Sequence, residues 1–265
     1  MDITVSQICR WMEEWADPTM AESYDNVGLL IGRCDRKVKT LVTALDATEA
    51  VIAYAIEKDA QMIVTHHPMP FRPVRRITDE SRDGGRILSL AEHQIALYAA
   101  HTNLDCAIGG TNDMVARRLG LLGVHPLVPK PEFGQGAGMG RIGTLPEAVK
   151  LETFLDHVKR TLAIPYVRVV SGTIDRAVLR VALCTGSGME FVQNAYEQKA
   201  DVYLTGDITY HGAEEALTMD MVLVDGGHYG TEQIAAEEIR EYLMGKTSDL
   251  KVIRYPSGQD VFQIC

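Results

Sequence analysis

The sequence has little cysteine, with five thiols among 265 residues, and no two of them stand in a Cys-x-x-Cys spacing. An odd count without that spacing argues against a disulfide framework and against a metal site built from thiolates. Proteins that keep their cysteines reduced are typical of the cytoplasm, so we expect a cytoplasmic protein.

Long apolar runs and an excess of positive charge are also missing. No stretch reaches the roughly 18 apolar residues of a membrane span, and the acidic start MDITVSQICRWMEEW does not resemble a signal peptide. The formal net charge of -10 argues against non-specific binding of nucleic acid, which needs a basic surface. A small anionic substrate held by a local basic patch is compatible with that charge.

Familiar catalytic motifs are absent as well, since the chain has no nucleophile elbow and no reactive-cysteine signature. The glycine-rich segment 134–143 is neither a Walker loop nor a dinucleotide fingerprint, which favours a flexible connector over a backbone-lined substrate loop. The TGSG segment at 185–188 is interpreted as a structural turn or as a cradle for an anion. Arg72, Arg75 and Arg76 form either a solvated loop or a patch that steers a phosphorylated substrate.

A weak internal repeat is the first positive signal. Segments 40–68 and 178–211 each predict a strand, a polar turn, a helix and a second strand. The second strands, AQMIVT and ADVYLT, both end on threonine before a polar cluster. In each half a further helix and strand follow, the strands being IALYAA and MVLV. Strands that alternate with helices indicate an α/β fold with mostly parallel sheets.

The domain organisation follows from the repeat. We expect a single domain over 1–265 that consists of two pseudo-repeated α/β lobes. Lobe one covers about 1–123 and lobe two about 147–265, and a connector rich in proline and glycine joins them over about 124–146. Apolar residues at helical spacing predict an amphipathic helix over 148–162 at the start of lobe two.

Polar side chains cluster where the predicted strands end. Because ligands bind outside the carboxyl ends of strands in open α/β sheets, we expect a site at these ends, between the lobes. Histidine is the strongest signal, since five of the eight histidines follow a predicted strand. The candidate residues are His66, His67, His101, Asp105, Asp207, His211, Asp225, His228 and Glu232.

The chemistry of this set favours a metal site. Histidine nitrogen and carboxylate oxygen are preferred ligands of zinc, manganese, iron and cobalt. His228 and Glu232 are four residues apart, which places both on one face of a helix that starts there, and Asp105 can add a bridging or terminal carboxylate. His66 and His67 share one ion only if their strand has already ended, because adjacent strand residues point to opposite faces. Alternatively, each of the two histidines serves a different ion of a two-metal site.

Five motifs carry a resemblance to a known family. They are SYDNVGLLIG (23–32), THHPMPF (65–71), HTNLD (101–105), GDITYH (206–211) and HYGTE (228–232). Their order and nearly end-to-end extent resemble the Nif-three-like (YbgI-like) family, whose members are often named GTP cyclohydrolase I type 2 homologues. Tyr24 and Met69 stand where the family often has tryptophan and leucine. The chain is similar to the compact form, without the domain inserted in longer relatives.

The resemblance implies a dinuclear site for divalent metal ions (Zn, Mn, Fe or Co). Its implied ligands are His66, His67, Asp105, His228 and Glu232. Glu232 would bridge the ions, and His101 and His211 would lie nearby as candidates for catalytic proton transfer. The resemblance also implies a ring-shaped homohexamer and a metal-dependent hydrolase activity that opens the purine ring of a nucleotide such as GTP.

A second hypothesis rests on the same resemblance. The family's name derives from a protein interaction, which suggests a non-enzymatic metal-binding adaptor or regulator that acts through protein partners. Both hypotheses predict bound metal, whereas only the enzyme hypothesis predicts turnover of a substrate.

Overall fold

The strands of the chain form two β-sheets. The computed structural model describes residues 2–256 and 260–263, and these residues contain both helices and strands, which confirms the α/β prediction. The strands are β1 (Gly28–Ile31), β2 (Thr40–Ala44), β3 (Met62–Thr65), β4 (Ala96–Ala99), β5 (Leu122–Pro129), β6 (Gly138–Lys150), β7 (Arg168–Val170), β8 (Ala177–Leu183), β9 (Val202–Thr205), β10 (Val222–Asp225) and β11 (Lys251–Arg254).

The helices alternate with these strands, and polar side chains cap several of their amino ends. Thr48 accepts a hydrogen bond from Val51 N at 3.3 Å, and Ser81 accepts one from Gly84 N at 3.1 Å. Among the described helices, none is long and apolar enough to cross a membrane. The helices are α1 (Val5–Trp15), α2 (Glu49–Glu57), α3 (Arg82–Glu92), α4 (Thr102–Cys106), α5 (Thr111–Arg118), α6 (Leu151–Leu162), α7 (Val192–Glu197), α8 (Tyr210–Thr218), α9 (His228–Glu232) and α10 (Ala235–Lys246).

The chain divides into two compact units whose boundaries differ from those of the expected lobes. The first unit contains residues 2–104 and 235–256, and the second contains 105–234 and 260–263. The return of residues 235–256 to the first unit has a simple cause. Strand β11 pairs in parallel with β2, and the buried Ile239 and Leu243 lie on α10, which contacts β2 and β11.

The sheet of the first unit is largely parallel, as predicted. Its strand order is β1-β4-β3-β2-β11, and only β1 runs antiparallel to its neighbour, β4. Every residue of β3 and β4 is buried, which is typical of central strands covered on both faces. The apolar core of this unit includes Val42, Ile63 and Leu97 from the strands, with Ile52 and Leu90 from α2 and α3.

The sheet of the second unit is mixed, so the prediction of a mostly parallel sheet is wrong for this half. Its order is β5-β6-β8-β9-β10-β7. Strands β8, β9 and β10 are parallel, whereas the β5–β6, β6–β8 and β7–β10 pairs are antiparallel. The parallel part corresponds to the repeat that the sequence predicts, and the antiparallel strands are additions to it.

The expected connector over 124–146 is also wrong, because most of it lies in the sheet. Residues Leu122–Pro129 and Gly138–Lys150 are the antiparallel pair β5 and β6. The predicted helix over 148–162 begins only at Leu151, since the preceding residues belong to β6. Strand β5 lies at the edge of the sheet, where proline is tolerated because no partner needs its missing N–H group.

Candidate metal centre

Three histidines converge within the first unit. His66 and His67 follow directly after β3, and His101 follows β4. The ring centroids lie 5.2 Å apart for His66–His67, 5.2 Å for His66–His101 and 5.5 Å for His67–His101. One nitrogen of each ring lies within 4.8 Å of the others, which is close enough for a shared metal ion. His66 is fully buried, and the other two are partly exposed.

The strand has ended before the histidine pair, as a shared centre requires. The amide groups of His66 and His67 donate to the carbonyls of Ala44 and Leu45 at 3.3 and 2.9 Å, and Thr65 Oγ1 donates to the carbonyl of His67 at 2.7 Å. This turn lets two adjacent side chains lie on the same side.

Each of these rings is held through its Nδ1 atom. His66 Nδ1 lies 2.7 Å from the carbonyl oxygen of Ala100, His67 Nδ1 lies 2.8 Å from Asp46 Oδ1, and His101 Nδ1 lies 2.9 Å from Asp25 Oδ1. These oxygens only accept hydrogen bonds, so Nδ1 carries the hydrogen in the neutral rings. The lone pair is then on Nε2, which is the arrangement of histidines that bind metals in proteins.

Asp25 is the most strongly perturbed carboxyl of this group. Burial raises its pKa, but hydrogen bonds from His101 and Thr102 and the charge of His101 outweigh burial and bring the pKa to about 2. Thr102 donates both its amide, at 3.0 Å, and its hydroxyl to Asp25. The carboxylate therefore stays ionised and fixes His101.

We expect Asp25→Asn to destabilise the metal-free protein at neutral pH, by at most about 2 kcal/mol after solvent screening. The folded pKa of about 2 lies below the usual 3.8, so this contribution is present above about pH 4 and is lost as the pH falls through 2. Urea unfolding at several pH values measures it. A difference between wild type and variant that does not shrink from pH 7 to pH 3 would contradict the assignment.

The second unit contributes a histidine and a carboxylate on one short helix. His228 and Glu232 lie at the two ends of α9, which confirms the predicted helix start, and His228 Nε2 lies 2.9 Å from Glu232 Oε2. Asp207 Oδ2 lies 2.7 Å from His228 Nδ1. His228 therefore stands between two carboxylates. Either both nitrogens carry hydrogen, or Nδ1 donates to Asp207 and a cation occupies the place between Nε2 and Glu232.

Asp105 is buried at the end of α4, and neighbouring polar groups fix its carboxylate. Oδ1 accepts hydrogen bonds from the hydroxyls of Thr111 and, at 3.5 Å, Thr185. Asn112 Nδ2 donates to the carbonyl of Asp105 at 3.1 Å, and Asn112 Oδ1 accepts from Thr185 N at 2.9 Å. These bonds order the side chain before any ligand binds.

The remaining candidates lie outside the two clusters of converging donors. Neither Asp105 nor His211 belongs to a group of three converging donor side chains among the residues that the structure describes. The side chain of His211 is 91% exposed, and its Nδ1 lies 3.4 Å from Glu214 Oε2. Asp225, which is buried, pairs with Arg168 across the β7–β10 edge.

The structure favours a turn over an anion cradle for the TGSG segment. Gly186 N donates to Thr231 Oγ1 and Gly188 N donates to Thr205 Oγ1, both at 2.9 Å. These amides are therefore already bonded to protein. The turn matters for another reason, because a side chain on Gly186 would overlap with Glu232 Oε1.

Sequence reasoning missed Asp25 and Asp46 as part of the site. Asp25 lies in the quoted motif SYDNVGLLIG, and Asp46 lies two residues after β2. The position of Asp46 at a strand end is a signal that the sequence does carry, since the same rule singles out Asp207.

The donor set fits a metal ion. It combines imidazole nitrogen with carboxylate oxygen and includes no thiolate. His66 and Glu232, at 0% and 3% exposure, are buried polar groups that can hold a metal ion.

Comparisons with known proteins agree with the motifs. A sequence profile of the Duf34/NIF3 (NGG1p interacting factor 3) family matches residues 3–260. A protein named GTP cyclohydrolase 1 type 2 homolog from Clostridium acetobutylicum is 35% identical, covering 88% of this chain and 86% of the relative. Its namesake from Clostridium perfringens is 32% identical, covering 98% of both chains. The crystal structure of a Bacillus cereus protein related to NIF3 superposes with a TM-score of 0.91 at 25% identity, covering 100% of both chains. The chain belongs to the Duf34/NIF3 family.

Proposed function

We propose that the protein is a hydrolase that depends on two divalent metal ions and acts on a nucleotide. The proposed ligands are His66, His67, Asp105, His228 and Glu232. The observation that carries the proposal is the common orientation of the histidines. Nδ1 of His66, His67 and His228 lies within 2.8 Å of an oxygen acceptor, so Nε2 is the nitrogen that each ring offers to a metal.

Bound divalent ions would supply Lewis acidity and a source of nucleophilic water at neutral pH. The protein's own contribution is to orient and to move protons. His101 Nε2 is the proposed proton carrier, because Asp25 Oδ1 lies 2.9 Å from Nδ1 and fixes the orientation of the ring. His101 is better suited than His211, whose side chain is almost fully exposed.

The nucleotide substrate rests on the name of the relatives, GTP cyclohydrolase 1 type 2 homolog. One feature of the first unit supports an anionic substrate, and a second connects it to the histidines. Arg72, Arg75 and Arg76 are exposed on the loop that follows the histidine pair. Phe71, at the start of that loop, packs edge-on against the His101 ring with centroids 6.3 Å apart. Guanidinium groups there would attract phosphate.

Metal analysis and an activity screen test the proposal. We expect about two zinc, manganese, iron or cobalt ions per chain, turnover of at least one nucleotide in a panel that includes GTP, and loss of turnover after chelation. Full metal content without turnover of any nucleotide would favour an adaptor that acts through protein partners, as the name NGG1p interacting factor suggests for the family. A chain that binds no divalent metal would contradict both. The hexamer stays a prediction, which light scattering checks.

A further inference from the structure

Two of the proposed metal ligands, His67 and His228, have a carboxylate next to Nδ1. In each case the carboxylate belongs to an aspartate just after the end of the neighbouring strand. Asp46 comes two residues after β2 and His67 two residues after β3. These strands are parallel, and their last residues, Ala44 and Thr65, are register partners. Asp46 and His67 lie the same number of residues beyond the ends of adjacent parallel strands, which brings their side chains together. The distance between Asp46 Oδ1 and His67 Nδ1 is 2.8 Å.

The second unit contains a similar Asp–His pair at the ends of two parallel strands. Asp207 comes two residues after β9 and His228 three residues after β10, and the register pairs Thr205 with Asp225 at the ends of these parallel strands. Asp207 Oδ2 lies 2.7 Å from His228 Nδ1. The sequence separation is 21 residues in both pairs. Asp207 adopts a left-handed backbone conformation, with φ 53°, which is uncommon outside glycine and is tolerated best by Asp and Asn.

We propose that Asp46 and Asp207 are positioning residues, which fix His67 and His228 so that Nε2 of each ring faces a metal ion. This inference rests on the proposed function. A carboxylate behind a ligating imidazole holds the ring orientation, selects the form with hydrogen on Nδ1 and makes Nε2 more basic. Both carboxylates are about half exposed, so neither is required to fill the core, and a role in the fold alone does not account for them.

Zinc titration of the full chain tests the role. We expect Asp46→Ala and Asp207→Ala each to weaken zinc binding about 10- to 100-fold, which is the range for an outer partner of a metal ligand. Asp46→Glu should recover part of the loss, because it restores an acceptor. The matched control is Glu214→Ala, which removes a carboxylate 3.4 Å from Nδ1 of the exposed His211 and should leave zinc affinity unchanged.

The tautomer of His67, meaning which ring nitrogen carries the hydrogen, provides a readout that a merely structural role would not change. In metal-free wild type at pH 8, nitrogen NMR should show hydrogen on Nδ1 of His67, whereas Asp46→Ala should shift it to Nε2. Zinc affinity within twofold of wild type in both alanine variants would overturn the proposal. Weakened binding in Asp46→Ala with the hydrogen of His67 still on Nδ1 would overturn it as well. If the wild type binds none of zinc, manganese, iron and cobalt, the proposed function fails, and the position of the ring hydrogen on His67 still decides whether Asp46 orients the ring.

Discussion

Replacing Arg141 by methionine is expected to lower the free energy of unfolding by about 3 to 5 kcal/mol, which is the usual cost of breaking a buried ion pair. Arg141 is 1% exposed near the start of β6. Its Nε and Nη2 atoms donate to the two carboxylate oxygens of Asp113, the latter at 2.8 Å. The remaining donors reach the carbonyls of Gly138, Gly140 and Ala107 at 2.7, 2.7 and 3.0 Å.

The size of this effect follows from counting donors. A guanidinium has five N–H groups, and Arg141 has five acceptors: two carboxylate oxygens and three carbonyls. Methionine keeps most of the volume but removes all five hydrogen bonds. Ala107 O and Asp113 Oδ2 still accept from Gly110 N and Gly109 N, but every acceptor loses its guanidinium donor, and Asp113 becomes a poorly compensated charge. Buried polar groups in that condition cost about 1 to 3 kcal/mol each, and charges cost more.

Chemical denaturation measures the loss, and two further variants show its cause. Arg33→Met should cost less than about 1 kcal/mol, because Arg33 and its partner Asp35 are 84% and 79% exposed. The double variant Arg141→Met with Asp113→Leu should lose less than the sum of the single variants, since no charge is left unpaired. A change of under about 1 kcal/mol for Arg141→Met would show that the network does not stabilise the unit.

The prediction of a flexible connector over 134–143 relied on residue type alone, which does not reveal how closely this segment packs against β8. Glycine and proline are usual in connectors, but here Gly140 has φ +60° and lies so close to β8 that a Cβ would approach Leu183 O to 2.8 Å. Glycine marks close packing of strands at this point. Asp113, the ion-pair partner of Arg141, lies 28 residues earlier in the chain. The sequence around the arginine therefore does not reveal the pair.

The strand ends could be predicted because their signal is local. A buried run such as MIVT, followed by His66 and His67, identifies both the strand and the polar residues beyond it. The spacing of His228 and Glu232 likewise identifies a shared helix face. The return of β11 to the first sheet was missed, because its pairing with β2 joins residues more than 200 positions apart. The role of Asp25 was missed for the same reason, since 76 residues separate it from His101.

Gly186→Ala is expected to weaken zinc binding by about 100-fold or more, although the substituted residue offers no ligand. Removing even an outer partner of a ligand costs about 10- to 100-fold, and this substitution displaces a proposed ligand itself. A Cβ at Gly186 would overlap with Glu232 Oε1 and would lie 3.5 Å from His228 Nε2. Moving the Glu232 carboxylate away from this Cβ is unfavourable, because its other oxygen lies 2.9 Å from His228 Nε2 and that contact would be lost. The backbone adds about 1 kcal/mol of strain, since φ is +64°.

Calorimetric titration with zinc separates displacement of Glu232 from general damage to the fold. Gly172→Ala is the matched control, because no atom lies within 4 Å of its Cβ position, and it should bind zinc like the wild type. Glu232→Ala should lose as much affinity as Gly186→Ala. If the glycine acts only through that carboxylate, the double variant should bind no more weakly than Glu232→Ala alone, so the two effects should not add. Wild-type affinity in a folded Gly186→Ala protein would mean that Glu232 is not a ligand in the position it occupies here.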